Sequence, residues 1–224
     1  MLGTQATLED RREARVLQNG VYMPEQSRIF VIDDDSQVRS SLKFLFESAG
    51  LGVETFASAL AFLRRPVHDG PSCVVLDLRM PHLNGLQAQE HLVQAGRSIP
   101  ILFLSGHADV QSTAKAMRDG AVDFLVKPVD DSQLLDAVSR ALALDAEARQ
   151  RRREQSESAA RVARLTARER EVIDLVARGL LNKQIAYELG ISSETVKVHR
   201  GHAMRKLGVH SVPALLRLLD RAAS

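Results

Sequence analysis

The chain has 224 residues, 45% of them apolar and 26% charged, a composition that suits two globular domains and excludes a disordered or fibrous chain. A single cysteine, Cys73, excludes a disulfide scaffold and a Cys-cluster zinc site, and fits a reducing compartment. Aromatic residues are only 4%, with no Trp, which argues against recognition of single strands by base stacking. No apolar run approaches the ~20 residues of a membrane helix, and the N-terminus lacks the apolar core of a secretion signal. A cytoplasmic protein is expected.

The net charge of +2 hides an asymmetry. Residues 1–144 carry 14 Lys+Arg against 18 Asp+Glu, and residues 145–224 carry 16 against 10. A basic second part suits a polyanionic partner; a solvated charged surface is the other reading.

Residues 1–27 are polar, without strand or helix periodicity, and read as a mobile extension, with Met23 an alternative start. From Ile29 short apolar runs alternate with amphipathic stretches. Ile29–Ile32, Val53–Phe56, Cys73–Leu76, Ile101–Leu104 and Val122–Val126 have strand length and β-branched or aromatic residues. Between them Ser36–Ala49, Ser58–Arg64, Leu83–Ala95 and Asp109–Asp119 have apolar residues at helical spacing. This alternation predicts a flavodoxin-like α/β domain over 28–148, a parallel sheet of order 2-1-3-4-5 covered on both faces. A fifth helix begins at Ser132 and continues into a polar stretch, so a helical linker over 149–163, ending near Ala160, is expected; a disordered tether has the same composition. Residues 164–224 predict four helices. Thr166 with Glu169 is a capping box, Asn182–Leu189 and Ser193–Leu207 are joined by a Gly-containing turn, and Ser211 precedes the last helix.

A doubly wound sheet gathers function at the carboxyl ends of its strands. The first strand ends in Asp33, Asp34 and Asp35, the third in Asp77, the fourth in Ser105 and the fifth in Lys127. Clustered carboxylates repel unless a cation sits among them, and oxygen-only donors favour Mg²⁺. Such a cation together with Lys127 suits a phosphoryl group, and Asp77, alone at a central strand end, is the candidate nucleophile.

The strings IFVIDDDSQVR, VVLDLRMPHLNG, ILFLSGHADV and GAVDFLVKPVD resemble, in order, the receiver domain of two-component response regulators. The resemblance implies Mg²⁺ on Asp33, Asp34, Asp77 and the backbone carbonyl of Arg79, with Asp34 a more direct ligand than Asp33, and Asp35 a turn or cap residue. It makes Asp77 the phosphoacceptor, Ser105 the switch hydroxyl, Phe124 the coupled aromatic residue, and Lys127–Pro128 a cis peptide bond. Arg79 and His107 stand at positions that reshape self-dephosphorylation.

Leu165–Ala222 resembles the LuxR-type DNA-binding domain, and the whole chain is most similar to FixJ-type regulators, with NarL-type proteins as cousins. Ser193–Leu207 is then the helix that enters the major groove of duplex DNA. Ser193, Thr195, Lys197, Val198 and Arg200 are the candidate contacts on it, with Asn182 and Lys183 on phosphates. His199 suits a structural hydrogen bond as well as a DNA contact, and Gly201 stands where cousins carry a basic residue. The implied function is transcription control, not catalysis, with a histidine kinase as phosphoryl donor, promoter DNA as ligand and a homodimer as the phosphorylated form. A phosphohydrolase would need an acid where Arg79 stands; a DNA binder with a vestigial acidic site is the remaining alternative. Arg151–Arg153 reads as solvated linker, His68, His82, His91 and His107 lack metal-ligand spacing, and Cys73 reads as inert.

Overall fold

The computed structural model describes residues 14–16, 22–24, 27–106 and 109–223. The chain divides into two compact units, 1–149 and 150–224. Two three-residue strands, β1 (Ala14–Val16) and β2 (Tyr22–Pro24), pair antiparallel inside the segment that shows no periodicity in sequence. Three residues are too few for an alternation to register.

The main sheet holds β3 (Arg28–Ile32), β4 (Gly52–Phe56), β5 (Ser72–Leu76), β6 (Ile101–Ser105) and β7 (Asp123–Val126). All neighbours run parallel in the order β4-β3-β5-β6-β7, which is the expected 2-1-3-4-5 arrangement. Parallel strands covered on both faces need apolar residues at consecutive positions, and β5 and β6 are buried throughout.

Alternate side chains supply two cores. Ile29, Val31, Cys73, Val75, Leu102 and Leu104 face one way, onto α1 (Ser36–Ser48) and α5 (Asp131–Ala163). Phe30, Ile32, Val74, Leu76 and Phe103 face the other, onto α2 (Ala59–Leu63), α3 (Gly85–Gln94) and α4 (Val110–Arg118). Each of these larger side chains contributes roughly 1.5–3 kcal/mol on burial, so a shift of register by one residue would exchange the two cores and is excluded.

Helix starts follow side-chain caps. Asp35 accepts from the backbone N–H groups of Gln37 and Val38, Asn84 forms a reciprocal capping box with Gln87, and Asp109 accepts from Ser112. Asp35 is thus a cap, as its place outside the acidic pair implies. Helix α5 continues three residues beyond the expected end, and its last turns face the second unit's core through Val162.

That second core is built by α6 (Ala167–Ala177), α7 (Asn182–Leu189), α8 (Ser193–Leu207) and α9 (Val212–Ala223) around Ile173, Ile185, Val196, Ala203, Leu207 and Leu215. Helix α7 ends at Gly190 with φ 64°, a left-handed turn that turns the chain into α8 and favours a residue without Cβ.

Candidate functional site

The carboxyl ends of β3, β5, β6 and β7 bring together Asp33, Asp77, Ser105 and Lys127. Asp33 and Asp77 are 3% and 9% exposed. Lys127 Nζ lies 2.6 Å from Asp33 Oδ2 and 3.0 Å from Asp77 Oδ1, so one ammonium is shared by two carboxylates. Backbone N–H groups complete them: Asp35 N donates to Asp33 Oδ1 at 2.9 Å, and Arg79 N donates to Asp77 Oδ2 at 2.7 Å.

Burial pushes the Asp77 carboxyl up, an effect that the hydrogen bond and charge of Lys127 and the Arg79 N–H offset only in part and that the charge of Asp33 reinforces. For Lys127 burial works against the ammonium, but the hydrogen bonds and charges of Asp33 and Asp77 outweigh it and raise its pKa. The Lys127 ammonium is thus favoured by the charges of the two acids it bridges, against the cost of its burial.

Ser105 is buried, and its carbonyl accepts from Lys127 N at 2.9 Å, which fixes the backbone of both residues. The Lys127–Pro128 peptide bond is cis. Phe124 is half-buried and stacks on Phe103 with ring centroids 5.9 Å apart. His107 lies outside the described residues.

Asp34 is not gathered with its neighbours. It is exposed, and its backbone carbonyl accepts from Arg39 Nη1 at 2.9 Å, as that of Asp33 does at 2.7 Å. Among the described residues no three His, Cys, Asp or Glu side chains stand close enough to hold a metal ion. The donor chemistry nevertheless fits a hard cation, because two buried carboxylates with oxygen donors only already require one positive charge between them.

In the second unit α8 presents its polar face outward. Val198 is 48% exposed, Lys197 is exposed with Nζ 3.6 Å from Glu194 Oε1, and Ser193 and Lys183 are exposed. Thr195 is half-exposed, with its hydroxyl against that of Ser192 at 2.8 Å. Arg200 Nη1 donates to Asn182 Oδ1 at 3.0 Å, so α7 and α8 are tied by two of the expected DNA contacts. Val196, Ala203 and Leu207 point into the core, which leaves the opposite side of α8 free to face a groove.

The sequence matches the response regulator receiver domain over residues 29–139 and the luxR family of bacterial regulatory proteins over 163–219. Nodulation protein W of Bradyrhizobium diazoefficiens is 45% identical over 192 residues, covering 86% of this chain and 85% of that protein. The transcriptional regulatory protein FixJ of Azorhizobium caulinodans is 43% identical over 196 residues, covering 88% and 93%. The solved structure of the response regulator StyR is 45% identical, with a TM-score of 0.82 over 88% of this chain and 99% of that one. The chain belongs to the FixJ-type response regulators.

As a two-component regulator of this type, the protein couples a receiver to a LuxR-type DNA-binding domain, and no helix among the described residues is long and apolar enough to cross a membrane. Three features of this FixJ-type chain escape sequence reading. Gly85 opens α3 directly against the phosphoacceptor candidate: a Cβ there would lie 2.5 Å from the Asp77 carbonyl oxygen and 2.9 Å from Phe103. The motif LNG places that glycine, but nothing in the string reveals the approach. His82 holds φ 68°, a left-handed backbone that costs a non-glycine residue ~1 kcal/mol.

The third is Lys206, whose Nζ lies 2.6 Å from Glu169 Oε2, while the Thr166 N–H donates to the same oxygen at 2.9 Å. Lys206 first, and then Thr166, hold the Glu169 carboxyl down at about 2, against an ordinary 4.5. A lowered folded-state pKa contributes stability that is present above 4.5 and lost as pH falls towards 2. Thermal unfolding of the second unit is expected to show a loss of about 1–2 kcal/mol across that window, the surface-side Lys206 reducing the full linkage value. Glu169→Gln should already be less stable at neutral pH and should lack the acid-dependent loss; an unchanged acid limb would rule the clamp out.

Proposed function

We propose that Asp77 accepts a phosphoryl group from a histidine kinase and that the acyl phosphate controls DNA binding by the second unit. The observation that carries this reading is the Lys127 ammonium shared between Asp33 and Asp77 at 2.6 and 3.0 Å. A cation at that place neutralises an entering phosphoryl oxygen as readily as a carboxylate. In the transfer an Asp77 carboxylate oxygen bonds to phosphorus, the phosphorus–nitrogen bond of the kinase phosphohistidine breaks, and the freed imidazole takes up a proton.

Asp33, Asp34, Asp77 and the Arg79 carbonyl would hold Mg²⁺, which supplies charge neutralisation at the phosphoryl oxygens. Lys127 binds one of these oxygens and Ser105 donates its hydroxyl to another. Phe124, at the end of the same sheet, follows Ser105 inward and alters the surface around α4, β7 and α5, where a second copy docks. Residues 28–148 act as the receiver, 149–163 as a helical linker, and 164–224 as the DNA reader. Two readers on adjacent half-sites then use Ser193, Thr195, Lys197, Val198 and Arg200 in the major groove, and Asn182 and Lys183 on phosphates. The regulator acts in the cytoplasm and turns over no small substrate.

Acetyl phosphate with Mg²⁺ is expected to add one phosphoryl group at Asp77, seen by mass spectrometry, and to move the chain to a dimer in gel filtration. Asp77→Asn preserves the side-chain shape and should abolish both changes. A phosphorylated Asp77→Asn chain, or a wild-type chain modified at Asp77 that stays monomeric, overturns the mechanism.

A further inference from the structure

Helix α8 carries Gly201 in the middle of its 15 residues. A glycine inside a helix is less favourable than alanine, since it gives up more backbone freedom on ordering. Two other glycines have a reason within the fold: Gly190 holds a left-handed φ, and Gly85 has no room for a Cβ against the Asp77 carbonyl. Gly201 has neither. Its backbone is helical, and a Cβ there would meet nothing within 4 Å among the described residues. What the missing side chain makes room for is therefore no part of the described unit. Gly201 is exposed, one turn after Lys197 and Val198 and one turn before Arg205, all of them exposed, while Val196, Ala203 and Leu207 fill the core. Side chains on a helix lean towards its N-terminus, so the one absent at 201 leaves a notch beside Val198.

Resting on the reading of α8 as the helix in the major groove, we infer that the C5 methyl of a thymine enters this notch, against the Gly201 Cα and the Val198 side chain. The choice of base follows from what the notch lacks. Gly201 has no side-chain donor or acceptor, and its backbone N–H and C=O are occupied within the helix. It offers no hydrogen bond to the polar edges of guanine, cytosine or adenine, whereas the thymine methyl is an apolar group that the groove presents for contact alone. The missing Cβ also lets α8 sit deeper, with Lys197 and Arg205, one turn to either side, as cations for the flanking DNA. Gly201 thus specifies sequence, while Asn182 and Lys183 on phosphates only position the chain.

One methyl group can be exchanged for another to test this. Sites bound by the full chain, phosphorylated with acetyl phosphate and Mg²⁺, are selected from random duplex DNA. Each thymine of the selected site is then replaced in turn by deoxyuridine, which lacks only the methyl. At one thymine per half-site the replacement should weaken wild-type binding ~fourfold. Gly201→Ala should bind the thymine site about tenfold more weakly and melt at a higher temperature. Its affinity for unrelated duplex at low salt, where phosphates alone are read, should stay at the wild-type value. At that same thymine deoxyuridine should strengthen Gly201→Ala binding, so that the two methyl groups exclude each other in a non-additive cycle. Equal effects of every deoxyuridine on both proteins, or a Gly201→Ala chain with wild-type affinity for the selected site, overturn the inference and leave the DNA-reading role standing. A phosphorylated wild-type chain that selects no site overturns that role, and the inference with it.

Discussion

Gly85→Ala is expected to destabilise the receiver by about 3 kcal/mol, at the upper end of overpacking effects, and to lower phosphorylation of Asp77 with it. The added methyl meets backbone atoms, namely the Asp77 carbonyl oxygen at 2.5 Å and the Leu78 Cα at 3.0 Å, so rotation of a side chain cannot relieve it. Nor can α3 withdraw easily. Gly85 N donates to the Leu78 carbonyl at 2.9 Å, and the Asn84–Gln87 capping box fixes the first turn. The strain therefore falls on the strand end that carries Asp77. Urea denaturation should show a lower midpoint with an unchanged slope, and phosphorylation by acetyl phosphate should fall. A variant as stable as wild type would mean that α3 is not seated as described.

Lys127→Met is expected to cost about 2 kcal/mol at neutral pH, less than the 3–5 kcal/mol typical of a broken buried pair, because the Lys127 side chain retains 24% of its exposure. What it loses is chiefly the neutralisation of Asp33 and Asp77, whose side chains are 4% and 10% exposed and are left facing each other. Asp33→Asn introduced together with Lys127→Met removes one of the stranded charges and should recover much of the loss, giving a non-additive cycle. Hydrogen exchange of the β5 amides reads this locally, since Val74 N and Asp77 N bond to Pro100 and Ile32 in the sheet. Equal protection in wild type and Lys127→Met, or a double variant worse than the single, would show that the ammonium does not hold the two acids together.

Much of this architecture is readable along the chain because its signals are local. The β-branched runs at Ile29, Cys73 and Ile101 have strand length, and residues at consecutive positions feed two different cores, as a sheet covered on both faces demands. The caps at Asn84, Asp109 and Thr166 lie within three residues of the N–H groups they satisfy. Asp33, Asp77, Ser105 and Lys127 are each found at a strand end for the same reason.

What sequence does not disclose is set by distance in the chain or by choices between neighbours. Glu169 and Lys206 are 37 residues apart, and the buried Asp145 on α5 accepts from Ser72 N across 73 residues. No periodicity marks such pairs. Asp33 and Asp34 are equivalent as letters, yet the turn that follows β3 sends one inward to Lys127 and leaves the other exposed. The polar run after Ala148 lacks an apolar face, so composition alone does not choose helix; the core around Val162 and Leu165 does, by giving the last turns of α5 something to bury against.

Cys73 sits in β5, the central strand of five, without exposed surface. Burial first, and then the charge of Asp145, push its thiol far above the ordinary thiol range. Its sulfur is thus a neutral hydrophobe that alkylating reagents reach only when the strands part. In a chain with no Trp to report unfolding by fluorescence, the rate at which maleimide labels this one atom becomes a clock for the opening of the receiver's middle.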